Sequence, residues 1–113
     1  MLPRHLRLIK SQDFHTIRQR GKRWRDGTLT LNVLQNTFSH SRYGFVVSRK
    51  VGKAVTRNRV KRRLRAATRQ WLPYLKTGYD VVIIVHPPIS SVSYSELETT
   101  LSHLFSRARL IET

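Results

Sequence analysis

The sequence predicts an α+β fold in one domain, with strands and helices mixed along the chain, and three observations carry that reading. Residues 28–35 and 43–48 alternate side chains with the period of two of a strand, and 79–86 is apolar on both faces, as a central strand is. Residues 55–72 and 93–108 repeat their apolar positions with the helical period. The 113 residues contain no internal repeat and no linker, so a single domain over 1–113 with one core is expected.

Ser11 stands where it caps a helix over 11–20 that carries Phe14 and Ile17 on one side, and Gly21 is placed to end it in a left-handed turn. In 28–35, Leu29, Leu31 and Val33 share one face and Thr30, Asn32 and Leu34 the other, the pattern of a half-buried strand. The turn-rich stretch 36–41 leads to 43–48, where Tyr43, Phe45 and Val47 alternate with Gly44, Val46 and Ser48, and these two strands are expected to pair antiparallel. At 100° per residue Val60, Leu64, Ala67 and Trp71 fall within about 60° of one another, which makes them the buried stripe of a helix ended by Pro73. Pro87 and Pro88 stop the strand at 79–86. Ser93 with Glu96, or Ser95 with Glu98, forms a capping box before Leu97, Leu101, Leu104, Phe105 and Ala108 of a third, amphipathic helix.

Charge narrows the function. With 22 Lys and Arg against 6 Asp and Glu, the formal net charge is +16, and a polyanionic partner follows. At 39% hydrophobic and 25% charged residues the chain is apolar enough to fold and is no disordered basic tail. The absence of cysteine removes disulfides, a thiolate zinc site and a cysteine nucleophile together. The longest nearly apolar run, 81–85, is far below the ~20 residues of a membrane span, and no apolar stretch of signal-peptide length follows the basic start 1–10. No membrane partner and a cytoplasmic location are expected.

The bases are unevenly placed. No acid lies between Thr28 and Tyr79, whereas 49–70 holds ten Lys and Arg, and Arg18, Arg20, Lys22, Arg23 and Arg25 form a second basic zone. On the helical wheel Asn58, Arg62, Arg65 and Arg69 lie opposite the apolar stripe, with Arg59 and Lys61 on its flanks. Like charges at this spacing repel by ~0.2–0.5 kcal/mol per pair, and the macrodipole disfavours Arg57 and Arg59 near the helix start. An ordinary solvated face mixes signs; this one does not, and it reads as a surface for phosphates, whose edges the arginine fork fits. Asn58 is either a plain helix-surface amide or a hydrogen-bonding partner of a base edge or sugar.

The run Lys53, Ala54, Val55, Thr56, Arg57, Asn58, Arg59, Val60, Lys61, Arg62 resembles the Arg-Asn-Arg signature of the bacterial ribonuclease P protein subunit. The order of the remaining features is similar over nearly the whole chain, from Asp13-Phe14 and Gly21 through 44–50 and Asp80 to the Ser-Tyr-Ser before the last helix. The resemblance implies a two-layer α+β sandwich with a small four-stranded sheet, about three helices and a left-handed βαβ crossover. It implies that a large RNA performs the Mg²⁺-dependent hydrolysis that removes the 5′ leader of precursor tRNA, that the protein is a non-catalytic component of this endoribonuclease, and that no protein partner is obligatory. Contacts to the RNA subunit then fall to Arg49, Lys50, Lys53, Arg57, Asn58, Arg59, Lys61, Arg62 and Arg65. A cleft between the first helix and a sheet face would take the leader, at Phe14, Arg18, Thr30, Asn32, Val46, Ser48 and His86. Family members often carry aromatic residues where Arg18 and Asn32 stand, which implies weaker base stacking here.

Other chemistries find little footing. The five histidines show no metal-ligand spacing, and His86 is the one candidate base for a metal-free nuclease. Asp13, Asp26 and Asp80 are separated along a basic chain, so no metal is expected on the protein and any Mg²⁺ is expected on the nucleic acid. Trp71 belongs to the apolar stripe, while Trp24, between Arg23 and Arg25, fits either core or base stacking. The alternative with equal claim to the charge and size is a ribosomal or ribosome-associated RNA-binding protein. A DNA-reading helix would need more base-reading side chains than Asn58, and a membrane-surface helix would need the apolar stripe that the core requires.

Overall fold

In a computed structural model that describes residues 3–87 and 94–111, the elements are α1 (Ser11–Arg20), β1 (Lys22–Asp26), β2 (Leu29–Gln35), β3 (Arg42–Val47), α2 (Ala54–Trp71), β4 (Tyr79–Val85) and α3 (Tyr94–Arg107). The strands form one mixed sheet in the order β1-β2-β4-β3. β4 runs antiparallel to β2 and parallel to β3, so α2 is the crossover between two neighbouring parallel strands. The expected antiparallel pairing of 28–35 with 43–48 is therefore corrected: β4 lies between them. The reason is in its composition, since Val81 to Val85 are buried on both faces and such a strand needs neighbours on both sides.

The 28–35 strand is likewise more deeply buried than a half-buried pattern implies. Leu29 to Val33 are all buried, Thr30 and Asn32 included, because helices cover both faces of the sheet there. On one face α2 and α3 close the larger core over Leu29, Leu31, Val33, Val81, Ile83 and Val85. On the other face α1 sets Ile17, with Leu8 from the preceding segment, against Val82 and Ile84.

One strand, β1, went unread in the sequence. It pairs with β2 through the two-residue turn Gly27-Thr28, and Gly27 has the positive φ of 59° that such a turn requires. At the helix ends, Lys10 and not Ser11 occupies the N-cap of α1, with no side-chain capping bond. Gly21 is extended (φ −77°, ψ 166°) and not left-handed. It is required for space: a Cβ there would stand 2.5 Å from the Ile17 carbonyl oxygen and 2.8 Å from that of Val33. Ser93, the expected cap of α3, and Pro88 lie outside the described residues.

α2 shows which force wins in a self-repelling helix. Burying Val60 and Leu64 contributes about 1.5–3 kcal/mol each, against a few tenths of a kcal/mol per repelling pair. The helix holds because its back is core.

Candidate nucleic-acid interface

The buried stripe of α2 is wider than the apolar residues suggest. Thr68 is fully buried beside Val60, Leu64 and Ala67. That recentres the stripe by about 15–20° towards the side carrying Arg57, Lys61 and Arg65. These three are half-buried, and the Nε atoms of Arg57 and Arg65 are buried with no hydrogen-bond partner among the described residues. Placing Arg65 squarely opposite the stripe is thereby corrected. The fully exposed face is instead Asn58, Arg59, Arg62, Arg63 and Arg69, with no acidic residue anywhere on the helix. Arg63, left out of the sequence-derived set, surrounds a shallow depression with Arg59, Arg62, Ala66 and the α3 residue Tyr94.

The bases preceding α2 belong to the same surface. Arg49 and Lys50 are exposed on a single 3₁₀ turn whose start is capped by Ser48, its Oγ accepting the Lys50 N–H at 3.2 Å. Lys53, also exposed, is the N-cap of α2. The loop 48–53 thus runs from the end of β3 to the arginine face without leaving basic territory.

The second candidate surface lies on the α1 side of the sheet. Phe14 is half-buried there over Gly44, where a Cβ would come within 2.4 Å of its ring, while Arg18 is exposed on the same helix. Thr30 and His86 meet side by side, Oγ1 to Nε2 at 2.7 Å, and the His86 N–H donates to the Thr28 carbonyl. Ser48 and His86 each lie one residue beyond the Val47–Val85 pair of the parallel strands, so both sit at the same end of the sheet, with Val46 half-buried beside Ile84. Asn32 differs from its expected place: it is 1% exposed and sits under Arg23, whose Nε donates to Oδ1 at 3.2 Å. Its Nδ2 is buried without a partner among the described residues.

Arg23 and Arg25 stand on this same candidate surface, and sequence reasoning did not assign them to it. Both belong to β1, on the face shared with Thr30 and Asn32 by register. Burial first, then the charges of Arg25 and Arg23, push the His86 pKa below the ordinary histidine value, so at neutral pH the ring is uncharged and offers one donor and one acceptor. The signal that would have found them was Asp26-Gly27, a hairpin dipeptide, which pairs 22–26 with 29–33.

Two of the carboxylates, Asp13 and Asp80, are engaged elsewhere. Asp80, 5% exposed, takes two bonds from Arg42, at 2.9 Å from Nε and 2.7 Å from Nη2, and a third from Asn36 at 2.9 Å. Asp13 of α1 reaches the same guanidinium at 3.4 Å, which ties α1 to the sheet. These bonds raise the Arg42 pKa still further, so the cation is permanent. Among the described residues no group of three or more His, Cys, Asp or Glu is arranged to hold a metal ion, and no helix is long and apolar enough to cross a membrane.

A family model described as Ribonuclease P matches residues 2–109. The ribonuclease P protein component of Synechocystis sp. is 45% identical over 113 residues, covering 98% of this chain and 91% of that protein. The RNase P protein from Thermotoga maritima is similar in structure, with a TM-score of 0.83 and 32% identity over 95% of this chain and 98% of that one. The RNase P protein of Staphylococcus aureus superposes with a TM-score of 0.88 at 25% identity, over 95% of this chain and 98% of that one. Nothing in these matches supports the ribosomal alternative.

Proposed function

The chain belongs to the ribonuclease P protein family, and from that membership we propose a division of labour between its two basic surfaces. It is a component of an endoribonuclease and associates with ribonuclease P RNA. In our reading α2 and the loop before it bind that catalytic RNA, and the face beside α1 binds the single-stranded 5′ leader of precursor tRNA. The observation that carries the reading is the arginine face of α2, exposed and without a single acid.

The chemistry assigned to each residue follows from its setting. Arg59, Arg62 and Arg63 neutralise phosphates, and with Arg49, Lys50 and Lys53 they allow RNA and substrate, both polyanions, to approach. Asn58 reaches a base edge or sugar. Arg57, Lys61 and Arg65 contribute charge from the flank. In the cleft Phe14 offers a ring edge, Arg18, Arg23 and Arg25 hold leader phosphates, and neutral His86 with Thr30 offers hydrogen bonds to a base. Val46 and Ser48 form the floor, and Asn32 acts on the leader through Arg23. The protein takes no catalytic part: Mg²⁺ and the attacking water are handled by the RNA, a reading supported by the engagement of Asp13 and Asp80 with Arg42. The site of action is the cytoplasm.

The test is the salt dependence of binding to the RNA subunit. Each neutralised phosphate contributes a slope of about −0.7 to −0.9 in log K against log salt. The Arg59→Ala, Arg62→Ala double variant is expected to flatten the slope by about two such increments with an unchanged thermal melt. An unchanged slope would sink the assignment of α2.

A further inference from the structure

A groove of about 690 Å³ lies at the other end of the molecule, between β1, the start of β4 and the turn after α3. Arg20, Lys22, Lys76, Arg107 and Arg109 line it, and among the described residues no carboxylate does. Half-buried Trp24 and Tyr79 add aromatic surface to its wall. Neither proposed RNA surface includes any of these residues. Tyr79 and His86 bracket a seven-residue strand, so the groove is about 20 Å from the His86 end of the sheet. Register also puts Lys22 and Trp24 on the α2 and α3 face, opposite Arg23 and Arg25. The basic run 22–25 is thereby divided by strand parity between the two faces of the sheet.

The walls are tied to each other. Arg107 Nη1 donates to the Arg25 carbonyl at 2.8 Å, and the Lys76 N–H donates to the Leu110 carbonyl at 2.8 Å. Between those ties the chain makes an unusual choice. The Arg109 N–H bonds the Ser106 carbonyl at 3.0 Å and the Leu110 N–H the Phe105 carbonyl at 2.9 Å, the pair of bonds that closes a helix through a left-handed residue, ordinarily glycine. Here that residue is Arg109, at φ 59°, the one non-glycine residue with positive φ among those described. A side chain there strains the backbone, and this one lines the groove.

We propose that this groove is a separate binding site for a single-stranded RNA segment, with Arg109 held in a strained conformation to supply a phosphate contact. The inference rests on the RNA-binding reading above but concerns residues that reading does not use. Five cations without an acid match a phosphodiester chain, the aromatic side chains match an unpaired base, and the volume suits a nucleotide-sized piece and not a duplex.

Titrating an octauridylate into the ¹⁵N-labelled full chain is expected to move the amides of Lys22, Tyr79 and Arg109 and the Trp24 indole N–H together. Arg109→Gly is expected to weaken those movements and flatten the salt slope by about 0.7, while raising Tm because glycine relieves the left-handed strain. An arginine kept only for packing would lose Tm on the same change, which counts against the proposal. Lys76→Ala, which keeps the backbone bond to Leu110, is expected to weaken the same movements at unchanged Tm. RNA-induced shifts confined to α2 and the His86 region would overturn the groove and leave the RNA-binding reading standing, whereas no shift anywhere would overturn both. Equal movements with polyglutamate would identify an acidic peptide as the occupant and refute the RNA assignment.

Discussion

Replacing Gly21 with alanine puts a methyl group where two backbone oxygens leave no room. Its Cβ would meet the Ile17 oxygen at 2.5 Å and the Val33 oxygen at 2.8 Å. Neither yields cheaply, because the Ile17 oxygen accepts the Gly21 N–H at 2.8 Å and Val33 is held in register with Lys22. Overpacking of this kind costs about 1–3 kcal/mol, and weakening the hydrogen bond adds up to ~1 kcal/mol, so the expected loss is about 2–3 kcal/mol. For a domain of this size that lowers Tm by roughly 8–12 °C, at about 4 °C per kcal/mol. Thermal melts and urea midpoints of Gly21→Ala and Gly21→Asn make the comparison. A left-handed turn would tolerate asparagine; the observed extended backbone at φ −77° gives it no advantage, and it is expected to lose at least as much as alanine. An asparagine variant within about 0.5 kcal/mol of the parent would refute the steric argument. Because this junction fixes α1 over the face proposed to bind the leader, both variants are also expected to bind precursor leader less tightly.

Two further outcomes follow from the buried polar groups. The folded chain resists protonating His86, so its contribution to stability is complete above the ordinary histidine value of about 6.5 and is lost as pH falls through the lower folded pKa. His86→Gln is expected to flatten that part of a urea-midpoint profile between pH 5 and 7.5, and a profile superimposable on the parent's would contradict the assignment. Arg42→Met leaves nearly buried Asp80 without its two-pronged partner and is expected to cost about 3–5 kcal/mol in urea unfolding, part of it recovered by adding Asp80→Asn. A loss under about 1 kcal/mol would mean that Asn36 and water suffice.

What the sequence disclosed tracks how local each cause is. α1, α2 and β4 announce themselves because helical period and two-faced apolarity are visible within one segment. β1 does not, since Lys22, Arg23 and Arg25 are exposed and its evidence is a partner's register. The false pairing of 28–35 with 43–48 has the same origin: strand neighbours are set by whichever strand is most apolar, here one more than thirty residues further on. At the candidate site, the arginine face was legible from spacing alone. Its true centre depended on Thr68, a polar residue that only packing identifies as buried. Arg42, Asp13 and Asp80, isolated in sequence, become one network only when α1 is laid on the sheet.

The position of β4 also governs the order in which the chain is completed. β2 and β3 have no hydrogen bonds to each other, and the strand that joins them emerges only after the whole of α2. Until then β2 has only the two-stranded hairpin with β1, which is marginal on its own, and the α2 stripe has no finished sheet to lie on. Folding must therefore wait for a contact between distant parts of the chain, whose loop-closure entropy is spent before the core returns anything. A nascent chain stopped before residue 79 would present open strand edges beside a dense cluster of bases, so a polyanion near the site of synthesis meets this protein first as an unfinished one.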